Sequence, residues 1–358
     1  MYSSDMEGRF KGRGALTNPA ARFLRSHSES VNDGWYREEA PDSIATQVIA
    51  EPARTVISRN DSPDIGFEQS VNPYRGCEHG CIYCYARPSH AYLDLSPGLD
   101  FETKLFYKAD AARLLTQELA RPGYVCKSIT LGANTDPYQP IEKQLAVTRS
   151  ILEVLEHTRH PVSIVTKGTL ILRDLALLRS LAADRLVHVH VSVTSLDPEL
   201  KRRLEPRAAS PQARLRVIAE LTAAGVPTGV LVAPIIPAVN DSEIETILGA
   251  VAAAGALRAG YVLLRLPHEI KDLFRQWLDE HYPERAEHVM SLIRGTRGGR
   301  DNDPRFGTRM RGTGHWAELL RDRFALACRQ RGLNRPMAPL ETARFRAPRL
   351  DGQLRLEL

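Results

Sequence analysis

Between residues 70 and 264 the sequence alternates between short apolar segments typical of strands and longer segments with apolar residues at helical spacing. Such alternation predicts a parallel sheet covered by helices. Six strands are predicted at 70–74, 128–132, 162–166, 187–193, 227–232 and 261–264, with helices at 109–120, 145–157, 172–182, 211–224 and 241–254. Six such units favour a partial (β/α)6 barrel of the α/β class, with a doubly wound open sheet as the alternative.

The loop after the first predicted strand contains three of the five cysteines in the chain, Cys77, Cys81 and Cys84. Gly76 and Gly80 lie beside them and relieve the steric limits on a tight turn. Thiolates are typical ligands of zinc and of iron–sulfur clusters. The sequence therefore predicts a metal-binding loop.

Two kinds of metal site are compatible with three clustered cysteines. A structural zinc ion needs a fourth protein ligand, for which His79, His90 and Cys126 are candidates. A 4Fe-4S cluster held by three cysteines instead leaves one iron open to a substrate or cofactor. The zinc alternative would give a nucleic-acid-binding protein with a zinc knuckle and no catalysis.

Polar residues follow several of the predicted strands, at the end of a parallel sheet where ligands bind. A polar turn follows the second strand and a lysine follows the third. The fourth strand alternates, so its valines should contact the outer helices while its hydroxyl side chains share the other face. The candidate binding residues are Asn134, Thr135, Asp136, Lys167, Ser192, Thr194, Arg207 and Arg265.

The spacing Cys-x3-Cys-x2-Cys, with Tyr83 just before the last cysteine, resembles that of radical S-adenosylmethionine (radical SAM) enzymes, and the resemblance covers roughly residues 68–268. It implies that Cys77, Cys81 and Cys84 hold a 4Fe-4S cluster whose open iron is chelated by SAM. It further implies reductive cleavage of SAM to a 5′-deoxyadenosyl radical, which abstracts hydrogen from a substrate. The expected partner is an electron donor such as flavodoxin or ferredoxin.

The same resemblance implies roles for the polar residues. Tyr83 is expected to lie against the adenine of SAM. The turn of Asn134, Thr135 and Asp136 stands where the family has a segment that binds the amino group. The residues that stand where the family contacts the carboxylate and ribose are Lys167, Ser192, Thr194 and Arg207.

Within the superfamily, the cysteine loop, the Thr135-Asp136 turn and residues 165–168 are most similar to the spore photoproduct lyase-related group, also called DNA repair photolyase-like. The lyases of that group carry a hydrogen-donor cysteine in the turn after the second strand. The aligned position here is Ala133, which argues against thymine-dimer reversal. Nucleic acid stays a candidate substrate, and the reaction itself is left open.

Composition and the resemblance together divide the chain into three expected parts. Residues 1–45 are rich in Ser, Arg, Gly and Asn and are expected to form a disordered tail, 46–268 the radical SAM core, and 269–358 a basic C-terminal extension. Between Arg294 and Arg349, fourteen arginines stand against five acidic residues and no lysine, a difference of +9 in a chain of net charge +5. Such a segment fits phosphate backbones, but charge runs more often form solvated surface or pair with acidic residues of the protein.

The expected location is the cytoplasm. Residues 1–13 lack the apolar core of a secretory signal, and the longest apolar run, 226–239, is interrupted by prolines and falls short of the ~20 residues of a spanning helix. Clustered thiols beside the isolated Cys126 and Cys328 do not form a disulfide framework, and an oxidising compartment would destroy an exposed cluster.

Overall fold

The computed structural model describes residues 10–24 and 43–349. Within these ranges the strands are β1 (Gln47–Ala50), β2 (Ile57–Arg59), β3 (Gln69–Val71), β4 (Tyr74–Arg75), β5 (Lys104–Tyr107), β6 (Ile129–Leu131), β7 (Val162–Thr166), β8 (Val187–Ser192), β9 (Thr228–Ile235) and β10 (Arg258–Leu263). The α-helices are α1 (Leu99–Thr103), α2 (Ala111–Leu119), α3 (Glu142–Leu145), α4 (Val147–His157), α5 (Leu175–Ala183), α6 (Pro198–Leu204), α7 (Pro211–Ala223), α8 (Ile244–Ala253), α9 (Ile270–His281), α10 (Ala286–Gly295) and α11 (His315–Arg331).

The main sheet contains the six predicted parallel strands and one antiparallel edge strand. Its order is β10, β9, β8, β7, β6, β3 and β2, and every neighbouring pair is parallel except β2 and β3. The parallel strands are neighbours in chain order, without the reversal that defines a doubly wound sheet. In the described ranges the edge strands β2 and β10 are not paired with each other. The prediction of a partial barrel is confirmed, and the doubly wound alternative is wrong.

The alternation of β8 places its side chains as predicted. Its valines are buried in the main apolar cluster together with Leu178 of α5 and Ile218 of α7. His190 lies on the other face, where the neighbouring strand carries Gly229, and a Cβ there would stand 2.9 Å from the histidine ring. Burial lowers the pKa of His190 to about 4, so the interior of the barrel holds a neutral histidine.

Element boundaries differ from the prediction where local pattern is weak. Helix α5 begins only at Leu175 because Leu170–Asp174 forms a 3-10 helix, and β10 begins at Arg258, three residues before the predicted strand. A second sheet, in the order β1, β5, β4, was not predicted. Its strands are short, and they are stabilised by pairing between residues 31 to 57 positions apart, which no local pattern reveals.

Residues 10–24 pack against the core, contrary to the expected disordered tail. Phe10 and Ala15 are buried, and the backbone N–H groups of Gly14 and Ala15 donate to the Glu102 carboxylate at 2.8 and 2.9 Å. Composition did not reveal this packing because the carboxylate that holds the segment lies 87 residues further along the chain. The rest of the predicted tail lies outside the described residues, apart from 43–45.

The C-terminal extension contacts both ends of the barrel. Helices α9 and α10 contribute Trp277 and Met290 to a second apolar cluster, which includes residues of the cysteine loop, and α11 packs along α8. After α11 the chain crosses the amino ends of the strands. There the Ala259 N–H donates to the Leu333 carbonyl at 2.9 Å, and Phe345 packs against His160. Every helix in the described ranges is too short or too polar to cross a lipid bilayer.

Candidate functional site

The cysteine loop, residues 76–85, directly follows β4 and comes a few residues after the carboxyl end of β3, a strand of the main sheet. Cys77 and Cys81 are buried, Cys84 is half-buried, and all three thiols are free. The loop folds back on itself, since the Gly80 N–H donates to the Cys77 carbonyl at 3.4 Å and the Cys84 N–H to the Cys81 carbonyl at 3.2 Å. Three free thiols therefore share one tight turn.

Two glycines permit this turn. Gly76 and Gly80 have φ angles of 76° and 66°, in the left-handed region that favours glycine. A Cβ at Gly76 would stand 2.9 Å from the Phe101 carbonyl oxygen, and one at Gly80 would stand 2.8 Å from the Glu102 carboxylate. Both positions thus require glycine for conformation and for space.

Buried side chains outside the loop fix its backbone. The Gln139 amide accepts a hydrogen bond from one loop N–H at 2.9 Å and donates one to a loop carbonyl at 3.1 Å. Arg87 donates to the Cys81 carbonyl at 2.8 Å and pairs with the Glu102 carboxylate at 2.5 Å, both side chains being fully buried. These side chains hold the loop backbone through partners that lie within the protein.

A buried polar cluster joins Tyr83 to the residues that follow β8. The Tyr83 hydroxyl donates to the Glu205 carboxylate, and the Thr194 hydroxyl donates to the same carboxylate at 2.7 Å. Arg214 pairs with the other oxygen of Glu205 and donates to the Ser192 carbonyl at 3.0 Å. One carboxylate therefore connects the cysteine loop to the carboxyl end of β8.

The charges in this cluster are set by proximity. Burial alone would raise the pKa of Glu205, but Arg214, Lys167 and the hydrogen bond from Tyr83 outweigh it and lower the pKa to about 2. The Lys167 ammonium nitrogen lies 6.0 Å from the centre of the Tyr83 ring. Burial works against its charge, yet Cys81 and Glu205 raise its pKa. A carboxylate and two cations are thus charged beside the loop at neutral pH.

Asp136 connects the cysteine loop to the end of β7. Its carboxylate accepts hydrogen bonds from the Thr166 hydroxyl and the Lys167 N–H, both at 2.7 Å, and from the Tyr138 N–H at 2.9 Å, and it lies 3.4 Å from the His79 ring. Burial alone would raise its pKa, but His79 and the hydrogen bonds lower it to about 2. Four donors occupy the roughly four lone-pair sites of a carboxylate.

The other predicted residues fall into two groups. The Thr135 hydroxyl donates to the Tyr74 carbonyl at 2.9 Å, and Arg207 pairs with Glu78 at 3.1 Å with its side chain 38% exposed. Asn134 and Ser192 make no side-chain hydrogen bond to any described residue. The structure thus brings Tyr83, Lys167, Ser192 and Thr194 together, and it places Arg207 at the surface.

Sequence reasoning missed the residues that support the site. Gln139, Arg87, Glu102, Glu205 and Arg214 are buried and polar, and none stands in a motif that marks it as a ligand. One signal was available, because Gln139 lies in the polar turn after β6 and Glu205 lies two residues before the candidate Arg207. Neither position alone tells whether the side chain is buried.

The cysteine thiols fit the role of cluster ligands. Burial raises the pKa of Cys77, and burial together with Glu205 raises the pKa of Cys81 to about 12, so both need a bound cation to be thiolates at neutral pH. In the described ranges, no three His, Cys, Asp or Glu side chains are placed to share one metal ion. Each cysteine of a 4Fe-4S cluster binds a different iron, so such a cluster does not require the thiols to meet at one point.

Comparisons with known proteins cover the part of the chain that contains this site. Residues 71–251 match the model of the radical SAM superfamily. An uncharacterised protein of Mycobacterium tuberculosis is 42% identical over 64% of this chain and 68% of its own length. An uncharacterised protein of Methanocaldococcus jannaschii is 27% identical over 67% of this chain and 86% of its own length.

Spore photoproduct lyase has a similar fold. Its structure complexed with a dinucleoside spore photoproduct aligns with a TM-score of 0.56 over 79% of each chain at 16% identity, a likeness that concerns the fold alone. The family match is more specific, because it covers about half of the chain and includes the cysteine loop. This chain belongs to the radical SAM superfamily, whose enzymes use a 4Fe-4S cluster and SAM.

Proposed function

We propose that this protein cleaves SAM reductively at a 4Fe-4S cluster ligated by Cys77, Cys81 and Cys84. When bound and reduced, the cluster supplies the electron that cleaves SAM to a 5′-deoxyadenosyl radical, which abstracts hydrogen from the substrate. The observation that carries the proposal is the cysteine loop, whose three free thiols lie on one turn fixed by buried side chains from outside it. The chain supplies the ligands, the binding groups and the exclusion of water.

Three residues have polar groups available for SAM beside the loop. The Lys167 ammonium makes no hydrogen bond to a described residue, and Ser192 and Asn134 likewise have unpaired side chains. We assign Lys167 to the SAM carboxylate, since an ammonium held charged near Tyr83 complements an anion. Ser192 and Asn134 are assigned to the ribose and the amino group.

The remaining proposed SAM-binding residues position other groups of the site. Thr194 orients Tyr83 through the shared Glu205 carboxylate, and the Tyr83 ring can then lie against the adenine. Thr135 and Asp136 use their side chains to shape the turn between the loop and β7. Arg207 reaches the site through Glu78.

Nucleic acid is the proposed substrate class. The support is the similarity of fold to spore photoproduct lyase, whose structure holds a dinucleoside spore photoproduct. The turn that contacts Tyr85 carries Ala133 at the position of the hydrogen-donor cysteine of the lyases. Alanine has no thiol that could donate a hydrogen atom, so the reaction we propose differs from thymine-dimer reversal. The proposed setting is the cytoplasm, with flavodoxin or ferredoxin as the electron donor.

The test is iron binding followed by SAM cleavage. Anaerobic protein should contain about four irons and four sulfides, and Cys77→Ala, Cys81→Ala or Cys84→Ala should each abolish stable iron binding. Cys126→Ala and Cys328→Ala are matched controls that should keep the iron. Dithionite and SAM should then yield 5′-deoxyadenosine, measured by mass spectrometry. Full iron retention in Cys81→Ala would contradict the ligand assignment.

A further inference from the structure

A basic surface covers the outer side of the cysteine loop. The segment that includes the end of α6 and residues 205–207 lies directly on the loop, since the Ile82 N–H donates to the Leu204 carbonyl at 3.1 Å and the Arg207 N–H to the His79 carbonyl at 3.2 Å. A Cβ on Gly80 would stand 3.1 Å from Pro206. One layer of main chain therefore separates the cysteine loop from this surface.

We call this surface the basic face and define it by Lys11, Lys201, Arg202 and Arg207. Lys11 is exposed and adjoins Gly12, which lies against Arg207, and the Arg202 side chain is 72% exposed. Two of the four cations pair with carboxylates, Arg202 with Glu199 and Arg207 with Glu78. The other two, Lys11 and Lys201, have no carboxylate partner among the described residues, which leaves the face with a net positive charge.

Lys201 lies within electrostatic reach of the loop. Burial and the nearby Arg214 lower the pKa of Lys201, while Glu205 and the Cys81 thiol act in the opposite direction. Its ammonium donates to the Pro206 carbonyl at 3.3 Å, on the segment that covers the loop. A negatively charged protein bound to the basic face would thus be separated from the cysteine loop by only one layer of main chain.

From this placement we propose that the basic face is the docking site of a small acidic electron-transfer protein of the flavodoxin kind. Opposite charges speed encounter and orient weak redox partners, and electron tunnelling favours the shortest path to the acceptor. Such a donor would give up one electron from its flavin hydroquinone, leaving the semiquinone, to a cluster held by the cysteine loop. This inference rests on the proposed function, because it requires a cluster on the cysteine loop.

The test compares two double charge reversals with the same change in net charge. Lys11→Glu with Arg202→Glu alters the basic face, and Arg329→Glu with Arg331→Glu alters exposed positions near the amino ends of the strands, next to Leu333. Cluster reduction by flavodoxin hydroquinone, followed by stopped-flow absorbance at low salt, should slow about tenfold or more in the first variant only. The difference should shrink as salt screens the charges.

Two further measurements separate this proposal from the proposed function. Dithionite is a small reductant that needs no docking site, so it should reduce the cluster equally in all variants. If dithionite reduces no variant, the cluster assignment fails. Binding of oxidised flavodoxin, measured by calorimetry, needs no turnover and should weaken only in the basic-face variant. Equal rates and affinities in both variants would overturn the docking site. If the basic-face variant loses duplex DNA binding while its affinity for flavodoxin is unchanged, the docking site is also overturned, and the basic face is a binding site for phosphates.

Discussion

Glu205 is the residue on which the polar cluster beside Tyr83 depends. It is fully buried and receives hydrogen bonds from Tyr83 and Thr194 in addition to its ion pair with Arg214. Removing its charge would leave the Arg214 guanidinium buried without a counter-ion. The stability of the site and the position of Tyr83 are therefore linked through one carboxylate.

We expect Glu205→Gln to lower the free energy of unfolding by about 3–5 kcal/mol, the usual consequence of breaking a buried ion pair. Urea unfolding followed by circular dichroism measures it. Glu199→Gln is the matched control, because Glu199 pairs with arginines at the surface with its side chain 44% exposed, and little change is expected there. Similar losses of unfolding free energy in both variants would show that the buried ion pair of Glu205 contributes no more to stability than the surface pairs of Glu199.

The same carboxylate predicts a pH dependence. Its pKa in the folded protein is about 2, below the ordinary value of 4.5, so its contribution to stability is fully present above pH 4.5 and is lost as the pH falls towards 2. Glu205→Gln should therefore flatten the decline in unfolding free energy over that range. If the unfolding free energy of the variant declines as steeply between pH 4.5 and 2 as that of the natural protein, other carboxyl groups, such as Asp136, are responsible for the decline.

At the scale of elements, the cysteine loop depends on space as well as on its ligands. Gly80 faces Glu102 and Pro206 at distances that leave no room for a Cβ, whereas Gly123 has the same left-handed backbone with nothing within 4 Å of an added Cβ. The two glycines share a left-handed backbone and differ in crowding, so they form a matched pair.

Gly80→Ala should lower the free energy of unfolding by about 2–5 kcal/mol, the sum of left-handed strain and overpacking, while Gly123→Ala should lower it by about 1–2 kcal/mol. Gly80→Ala should also reduce the iron content after reconstitution, because the displaced turn moves Cys81. Iron analysis and urea unfolding of the two variants measure the difference. Normal iron content in Gly80→Ala would show that the loop tolerates the shift.

At the scale of the whole molecule, the C-terminal arginines close the open side of the barrel. The Leu263 N–H of β10 donates to the Met310 carbonyl at 2.9 Å, and Arg309 binds Asp64, in the connection from β2 to β3, at 2.5 and 2.8 Å. Arg297 is buried and donates to four backbone carbonyls, including that of Leu264 at 2.7 Å. Much of the basic segment is therefore engaged within the protein.

Because some of these arginines are buried and others are exposed, their contribution to stability can be measured separately from any binding to nucleic acid. Arg297→Gln should lower the melting temperature, because the side chain is buried. For the same reason it should leave the salt dependence of any nucleic-acid binding unchanged. Arg300 is exposed and its side chain has no partner in the described ranges, so Arg300→Gln should leave the melting temperature unchanged. If Arg300 contacts a phosphate of duplex DNA, the loss should reduce the salt slope by ~0.9 log units per tenfold change in salt.

Fluorescence anisotropy across a salt series, beside thermal melts, measures both effects. The control is Arg321→Gln, an exposed arginine of α11 that pairs with its neighbour Asp322. An absence of DNA and RNA binding at low salt would remove nucleic acid from the proposed substrates. A normal melting temperature for Arg297→Gln would contradict the structural role of that side chain.

The sequence by itself determined the fold class, the cysteine loop and the family. The six strands were found because their apolar pattern is local, and the loop was found because three cysteines and two glycines lie within nine residues. The resemblance to radical SAM enzymes is confirmed by the family match, so the chain is an enzyme of that class and not the zinc-knuckle protein of the alternative hypothesis.

Only the tertiary structure decided which polar residues build the site. Glu102 reaches the loop and the N-terminal segment, and Arg214 reaches Glu205, through contacts that no spacing in the sequence marks. The tertiary structure also paired the partly exposed Arg207 with Glu78, a buried residue of the cysteine loop, and gave most of the C-terminal arginines described above their partners. The reason is physical. An apolar period shows which face of an element is buried, whereas a charged residue can be buried only where distant parts of the chain bring it a partner.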